Sequence, residues 1–333
     1  MGHQTELPIS QVVSAQSAFK NRTLIRVPPR RAVSRTKRVS RAFLGSVLSP
    51  AYGFLAYLGG APGLRFRGEF SLMAIRLLRT RREHISLADI WRLLLFPMDS
   101  FRYFELNFVW DALSNHAINY YLDVSSPRLL PLMLARRKRH LRAHLINPDP
   151  ADLAFTDNLI KAFGLAERCD LHGCLISAAP FKVGSFDVVT SISVVEHIPN
   201  DKEAIQKLWD FVRPGGRLLL TVPCAAQACD EYIDRNEYGL LEPGEDGFFF
   251  FQRLYDNRLL SENVFRITGQ PSSHSIYGEK TPGAYHRNQR SKWSDPDYPV
   301  WREPYMMCQE YGYFDSVEQL PGVGVIALEF VKD

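Results

Sequence analysis

Cysteine is scarce, with five residues among 333 (Cys169, Cys174, Cys224, Cys229 and Cys308), and no pair has the CxxC spacing of a metal site or redox motif. An odd number at such spacings speaks against a disulfide framework and structural zinc, so a reducing, cytoplasmic location is expected. A strong charge of either sign is lacking too: 40 Lys and Arg stand against 36 Asp and Glu, a formal +4. That balance gives no strong signal for nucleic acid as a partner. Proline and glycine, at 21 each, stay far below collagen-like usage, and 46% hydrophobic residues exclude wholesale disorder. The length suits one large domain with appendages or two smaller ones.

Acids are missing from one place in particular. Between Met1 and Gly68 eleven basic residues face Glu6 alone, a local +10 that leaves the other residues at −6. Residues 1–41, broken by Pro28-Pro29, read as a basic, flexible tail, either an organelle-targeting peptide or a solvated arm. From Ala42 to Leu64 there is no charge at all, enough on paper to cross a bilayer of roughly 30 Å, although its prolines, glycines and serines weaken that reading. A buried lid, a dimer contact and a membrane-surface hairpin flanked by Arg41, Arg65 and Arg67 are the alternatives, so peripheral membrane contact through residues 20–67 stays open. Residues 42–115 as a whole read as a helical extension. Phe70, Met73, Ile75, Leu77 and Leu78 fall near a helical repeat; Ser86 and Asp89 open a second helix that Pro97 ends; and FRYFELNFVWDAL from Phe101 forms either structural cover or a cap over a pocket.

Beyond Asn115 short apolar runs alternate with amphipathic segments, the pattern of βα units and a parallel sheet over residues 116–225. Strands are expected at 118–124, 142–146, 169–176, 186–193 and 217–223, with helices at 127–140 and 152–163, the latter closed by Gly164. A third helix follows Asp201, read as its cap. Residues 226–300 form an aromatic-rich insertion suited either to a substrate pocket or to packing, and 301–333 supply two closing antiparallel strands at 306–314 and 323–331.

The run SFDVVTSISVVEHIPNDKEAIQKLWDFVRPGGRLLLTVP, Ser185 to Pro223, closely resembles the second half of the class I S-adenosylmethionine-dependent methyltransferase domain, in the subgroup of small-molecule and lipid methyltransferases. The resemblance implies an α/β, doubly wound Rossmann-like sheet, mostly parallel with a C-terminal antiparallel strand, preceded by the helical extension. It implies S-adenosylmethionine as cofactor, held where residues after strands one, two and four converge. Those residues are Asp123 to Arg128, Asn147 to Asp149, and Ser191 to His197. In the family the first strand ends in an acid and a glycine-rich loop. Here Asp123 keeps the acid, while Ser125-Ser126-Pro127-Arg128 stands where the glycines belong, so Ser125 and Ser126 either donate to the cofactor or close its site. Asn147, with Asp149 two residues on, takes the place of the ribose-binding acid, and no acid follows the third strand in SAAPF at 177–181. Ser191 and Ser193 line the same cleft. Glu196 and His197 match the family's EH pair and are the candidate catalytic groups, with His274, Tyr285 and His286 as later candidates. The implied reaction is methyl transfer to an oxygen, nitrogen or carbon nucleophile of a small molecule, lipid or saccharide. A catalytically silent, methyltransferase-like binding or scaffold module is the alternative.

Overall fold

The computed structural model describes residues 21–80, 84–125 and 128–333, so the call on Ser126 and most calls on the first twenty residues lie outside the described residues. The chain enters as β1 (Arg22–Ile25), then α1 (Arg35–Leu58), α2 (Leu64–Ile75), α3 (Leu77–Thr80), α4 (Leu87–Leu95) and α5 (Arg102–Leu113). A strand at 22–25 and a helix starting at Arg35 correct the reading of a flexible tail over residues 21–41; the first twenty residues of that reading lie outside the described residues. The strand holds because Arg22 sits over the Tyr232 ring at 4.0 Å and pairs with Asp246 at 2.9 Å. Ser86 caps α4, accepting from the Asp89 amide at 3.1 Å, and the helix stops before Pro97. In α5, buried residues occur on every side, as in a helix enclosed by protein.

The core follows as β2 (Tyr120–Val124), α6 (Leu129–Arg137), β3 (Arg142–Ile146), α7 (Pro150–Phe163), β4 (Cys169–His172), β5 (Phe186–Ile192), α8 (Asp201–Phe211) and β6 (Val212–Cys224). Gly164 closes α7 in the left-handed region at φ 67°, as a C′ glycine does. Every residue of β5 is buried, because helices cover both faces of a parallel sheet. The late region adds β7 (Cys229–Ile233), β8 (Phe249–Leu254), a π-helical turn between α9 (Asn257–Leu259) and α10 (Arg266–Thr268), β9 (Ser273–Glu279), α11 (Ala284–Ser294), α12 (Glu303–Glu310), β10 (Tyr311–Phe314) and β11 (Gly324–Val331).

Eight strands form one sheet in the order β10-β9-β11-β6-β5-β2-β3-β4, and a second sheet has the order β1-β7-β8. From β4 to β6 all neighbours are parallel; β11 runs antiparallel to both β6 and β9. The expected doubly wound, mostly parallel sheet with a C-terminal antiparallel strand is therefore present. Three local readings are corrected. Met306–Glu310 belong to helix α12, leaving only Tyr311–Phe314 extended. The two closing strands are not neighbours, because β9, hidden in the polar-looking SHSIYGE, lies between them. Asp201 is the first residue of α8 and not its cap: its side chain is buried in another role.

That role is a polar knot tying the second sheet to the core. Arg253 on β8 donates to Asp230 on β7 at 3.0 Å and pairs with Asp201 at 2.9 Å. Tyr255 and Asn263 complete the shell of Asp201, at 2.5 Å and at 2.9 and 3.1 Å. Two aspartates out of water depend on one guanidinium, so removing it strands both charges. Arg253→Ala is expected to cost about 3–5 kcal/mol, and Arg253→Met no less than half of that, in urea unfolding of the whole chain. A loss below about 1 kcal/mol would show that the knot does not hold the sheets.

Candidate functional site

Three groups of side chains gather where the parallel strands end. At the end of β2, Asp123 is almost fully buried and accepts from the Tyr121 hydroxyl at 2.9 Å and the Thr190 hydroxyl at 3.0 Å. Ser125 then turns into the left-handed region at φ 47°, and its amide and hydroxyl both donate to the Ile146 carbonyl, at 2.8 and 3.2 Å. Ser193, after β5, adopts φ 48°. Its amide donates to the Thr221 hydroxyl at 3.0 Å and to the Thr221 carbonyl at 3.1 Å. Among the described residues only Ser100, Ser125 and Ser193 are non-glycine residues at positive φ. Such strain is held only where surroundings over-determine it, and two of the three lie at strand ends facing the expected cleft.

The second group lies after β3. Asn147 donates its amide to Asp152 at 2.8 Å and accepts from the Asp149 amide at 2.9 Å. Asp149 caps α7, accepting from the Ala151 amide at 2.8 Å. Arg128 crosses from the loop after β2 to pair with Asp152 and lies over Phe155 at 4.8 Å. Loop and helix are thereby latched together. Ser191, by strand alternation, faces away from Thr190 and Asp123, so the structure does not bring it into their group. Its hydroxyl is buried and has no partner among the described residues.

The third group includes residues that sequence reasoning missed. Glu105, fully buried on α5, accepts from Arg102 at 2.6 Å, from Thr221 at 2.8 Å and from the Ser193 hydroxyl. An acid set among the aromatic residues of FRYFELNFVW was the available signal. Beside it Glu196 is 1% exposed, and its Oε2 has no partner among the described residues. Burial pushes the Glu196 carboxyl up to about 8, against the pull of Arg102. His197 follows, with Nε2 3.7 Å from Glu196 Oε1 and Nδ1 2.6 Å from the Phe251 carbonyl. A carbonyl only accepts, so Nδ1 carries the proton and Nε2 the lone pair. Burial holds the imidazole down to about 4, against that hydrogen bond. At neutral pH the pair is a protonated acid beside a neutral base.

Phe251 joins this group to a cavity of about 320 Å³ lined by Leu24, Arg26, Phe251, Tyr285, His286 and Trp293. His286 pairs with Glu231 at 2.7 Å, a hydrogen bond that raises its pKa, and Glu231 also accepts from Gln252 at 2.7 Å. His274 is exposed near the start of β9. Among the described residues no cluster of His, Cys, Asp or Glu suits a metal ion. The buried Asp123 carboxylate at the end of β2 suits a ligand carrying positive charge, and the orphaned carboxyl oxygen of Glu196 is a polar group left for a ligand to satisfy, so these residues fit S-adenosylmethionine.

Residues 122–220, less than a third of the chain, match the family model described as Methyltransferase domain. Residues 122–220 thus carry a methyltransferase domain, and the match supports S-adenosylmethionine-dependent methyl transfer. No curated protein matches the chain. Among solved structures it is similar to the MccD protein, at 10% identity over 69% of this chain and 96% of that one, with a TM-score of 0.46. It is also similar to geranyl diphosphate C-methyltransferase from Streptomyces coelicolor A3(2), at 13% identity over 66% and 75% of the two chains (TM-score 0.42). The [4+2]-cyclase SpnF is similar at 16% identity over 68% and 78%, with a TM-score of 0.41.

The pair Glu196 and His197 sets a pH dependence. Folded, Glu196 keeps its proton to about 8, whereas unfolded it loses it near 4.5; its contribution is full below 4.5 and is lost as pH rises through 8. His197, neutral when folded down to about 4 and titrating near 6.5 when unfolded, contributes fully above 6.5 and loses that as pH falls through 4. The slopes cancel between 4.5 and 6.5, leaving Glu196 alone between 6.5 and 8. Relative to Glu196→Gln, the wild-type chain is expected to lose up to about 2 kcal/mol from pH 6.5 to 8 in urea melts. Parallel pH profiles for the two would show that Glu196 is not a buried acid.

Proposed function

We propose that this chain transfers a methyl group from S-adenosylmethionine to a nucleophilic atom of a small molecule seated in the aromatic cavity. The carrying observation is the placement of Glu196 and His197, at the end of β5 inside the matched domain, against Phe251, which lines that cavity. S-adenosylmethionine supplies, when bound, an electrophilic methyl on a positively charged sulfur.

The chain's own residues supply the rest. Asp123 would hold the positively charged end of the cofactor, Glu196 would offer its orphaned carboxyl oxygen as a hydrogen-bonding group, and Asp149 would accept from a ribose hydroxyl. The positive-φ turns at Ser125 and Ser193 shape the loops as glycines would, while Ser125 spends its hydroxyl on the backbone. His197 Nε2 is the base that takes a proton from the acceptor, and the bond to Phe251 fixes the tautomer that leaves Nε2 free to do so. Aromatic walls with Arg26 and Arg290 beside the Glu231–His286 pair suit an acceptor with an apolar body and one anionic or strongly accepting group. Holding such an acceptor in line with the methyl is where most of the acceleration arises.

Calorimetric titration with S-adenosylmethionine and S-adenosylhomocysteine is the test. Binding in the micromolar range is expected, weakened at least about tenfold in Asp123→Ala, and preserved in His197→Gln, which lowers turnover of an accepted substrate instead. A folded chain that binds neither compound would be a methyltransferase-like binding module.

A further inference from the structure

The face that α1 turns outward is inverted for a helix of a water-exposed protein. Its buried side carries small residues: Gly45, where a Cβ would come within 2.5 Å of the Trp301 ring, Ser49, Ala56, and Gly59 just past its end against Cys308. Its outer side carries large apolar ones at helical spacing, Val39, Phe43, Val47, Phe54 and Leu58, with Phe43 72% and Phe54 62% exposed. Tyr57 is also exposed. On α4, which adjoins α1, Trp91 is half exposed while its indole N–H donates to Ser46 on α1 at 2.9 Å. An apolar stripe bordered by aromatic rings with a polar edge is the composition of a segment lying in a membrane interface.

Charge decides what covers this stripe. Residues 35–82 contain ten Lys and Arg and one acid, Glu69, a net +9 in a chain whose total is +4. A second copy docked face to face would set like charges against each other, whereas an anionic bilayer complements them. No helix of the described residues is long and apolar enough to cross a membrane, in keeping with a helix that lies along the surface. We propose that α1, with Trp91 beside it, seats the protein on an anionic phospholipid bilayer, its outward stripe entering the headgroup boundary and its basic flanks meeting the phosphates. This is independent of the catalytic reading and uses none of its residues.

Vesicle flotation of the full chain tests it, with phosphatidylcholine vesicles and with the same vesicles containing phosphatidylserine. The expected result is flotation with the anionic vesicles, weakened by salt and at least about tenfold lower in the double variant Phe43→Glu, Phe54→Glu. Phe43→Ser, Phe54→Ser, which adds no charge, is expected to fall between the two, and unchanged circular dichroism and melting confirm that each variant folds. The proposal is overturned by a wild-type chain that does not float, by variants that float as well as wild type, or by a wild-type dimer that ignores vesicles and that the glutamates convert to monomer.

Discussion

A carboxylate fully removed from water has to be ringed by donors, and Glu105 finds them only where α5 lies across the ends of β5 and β6. Arg102 comes from the same helix, Ser193 and Thr221 from two separate strand ends, so the position of the helical extension on the sheet is set by one oxygen pair. The residues just before α5 extend the same seam. Asp99, Ser100 and Glu303 surround the Lys292 ammonium of α11, joining the extension to the late region through a second buried charge. Extension, core and late region are therefore registered to each other by charges that tolerate little displacement, and the strained Ser193 is held by the same contacts.

Much of the core was legible because its signals are local. The run from Ser185 to Pro223 states its strands and helix through apolar periodicity, and Gly164 and Ser86 mark helix ends by single-residue chemistry. Where a residue's role is set by a distant partner, local reading fails. Asp201 looks like a cap and instead serves Arg253, Tyr255 and Asn263; β9 looks polar because its pattern makes sense only between β10 and β11. Of the site, Glu196 and His197 were visible by motif. Glu105 was not, since nothing near it in sequence shows that its helix ends against a strand more than a hundred residues away. Ser125, standing in place of a glycine, adopts the glycine-like backbone, a compromise no residue count reveals.

The two sheets divide the labour. The large one presents Asp123, Ser193 and the Glu196-His197 pair at its strand ends, while the small one, through Phe251 and Glu231, supplies walls for the cavity beside them. Because the pair is neutral at physiological pH, the charged groups at the cavity are Arg26, Arg290 and the Glu231–His286 pair.

One wall of that cavity is β1, whose Arg22 to Ile25 pair in parallel with Asp230 to Ile233. β1 finds its partner only beyond the whole parallel core in sequence, and the loop it closes is among the longest that the described residues offer. The large sheet does not include β1, so the cavity takes one of its walls from a contact that the core sheet does not need. Enclosing the cavity is thereby tied to the slowest kind of contact a chain makes.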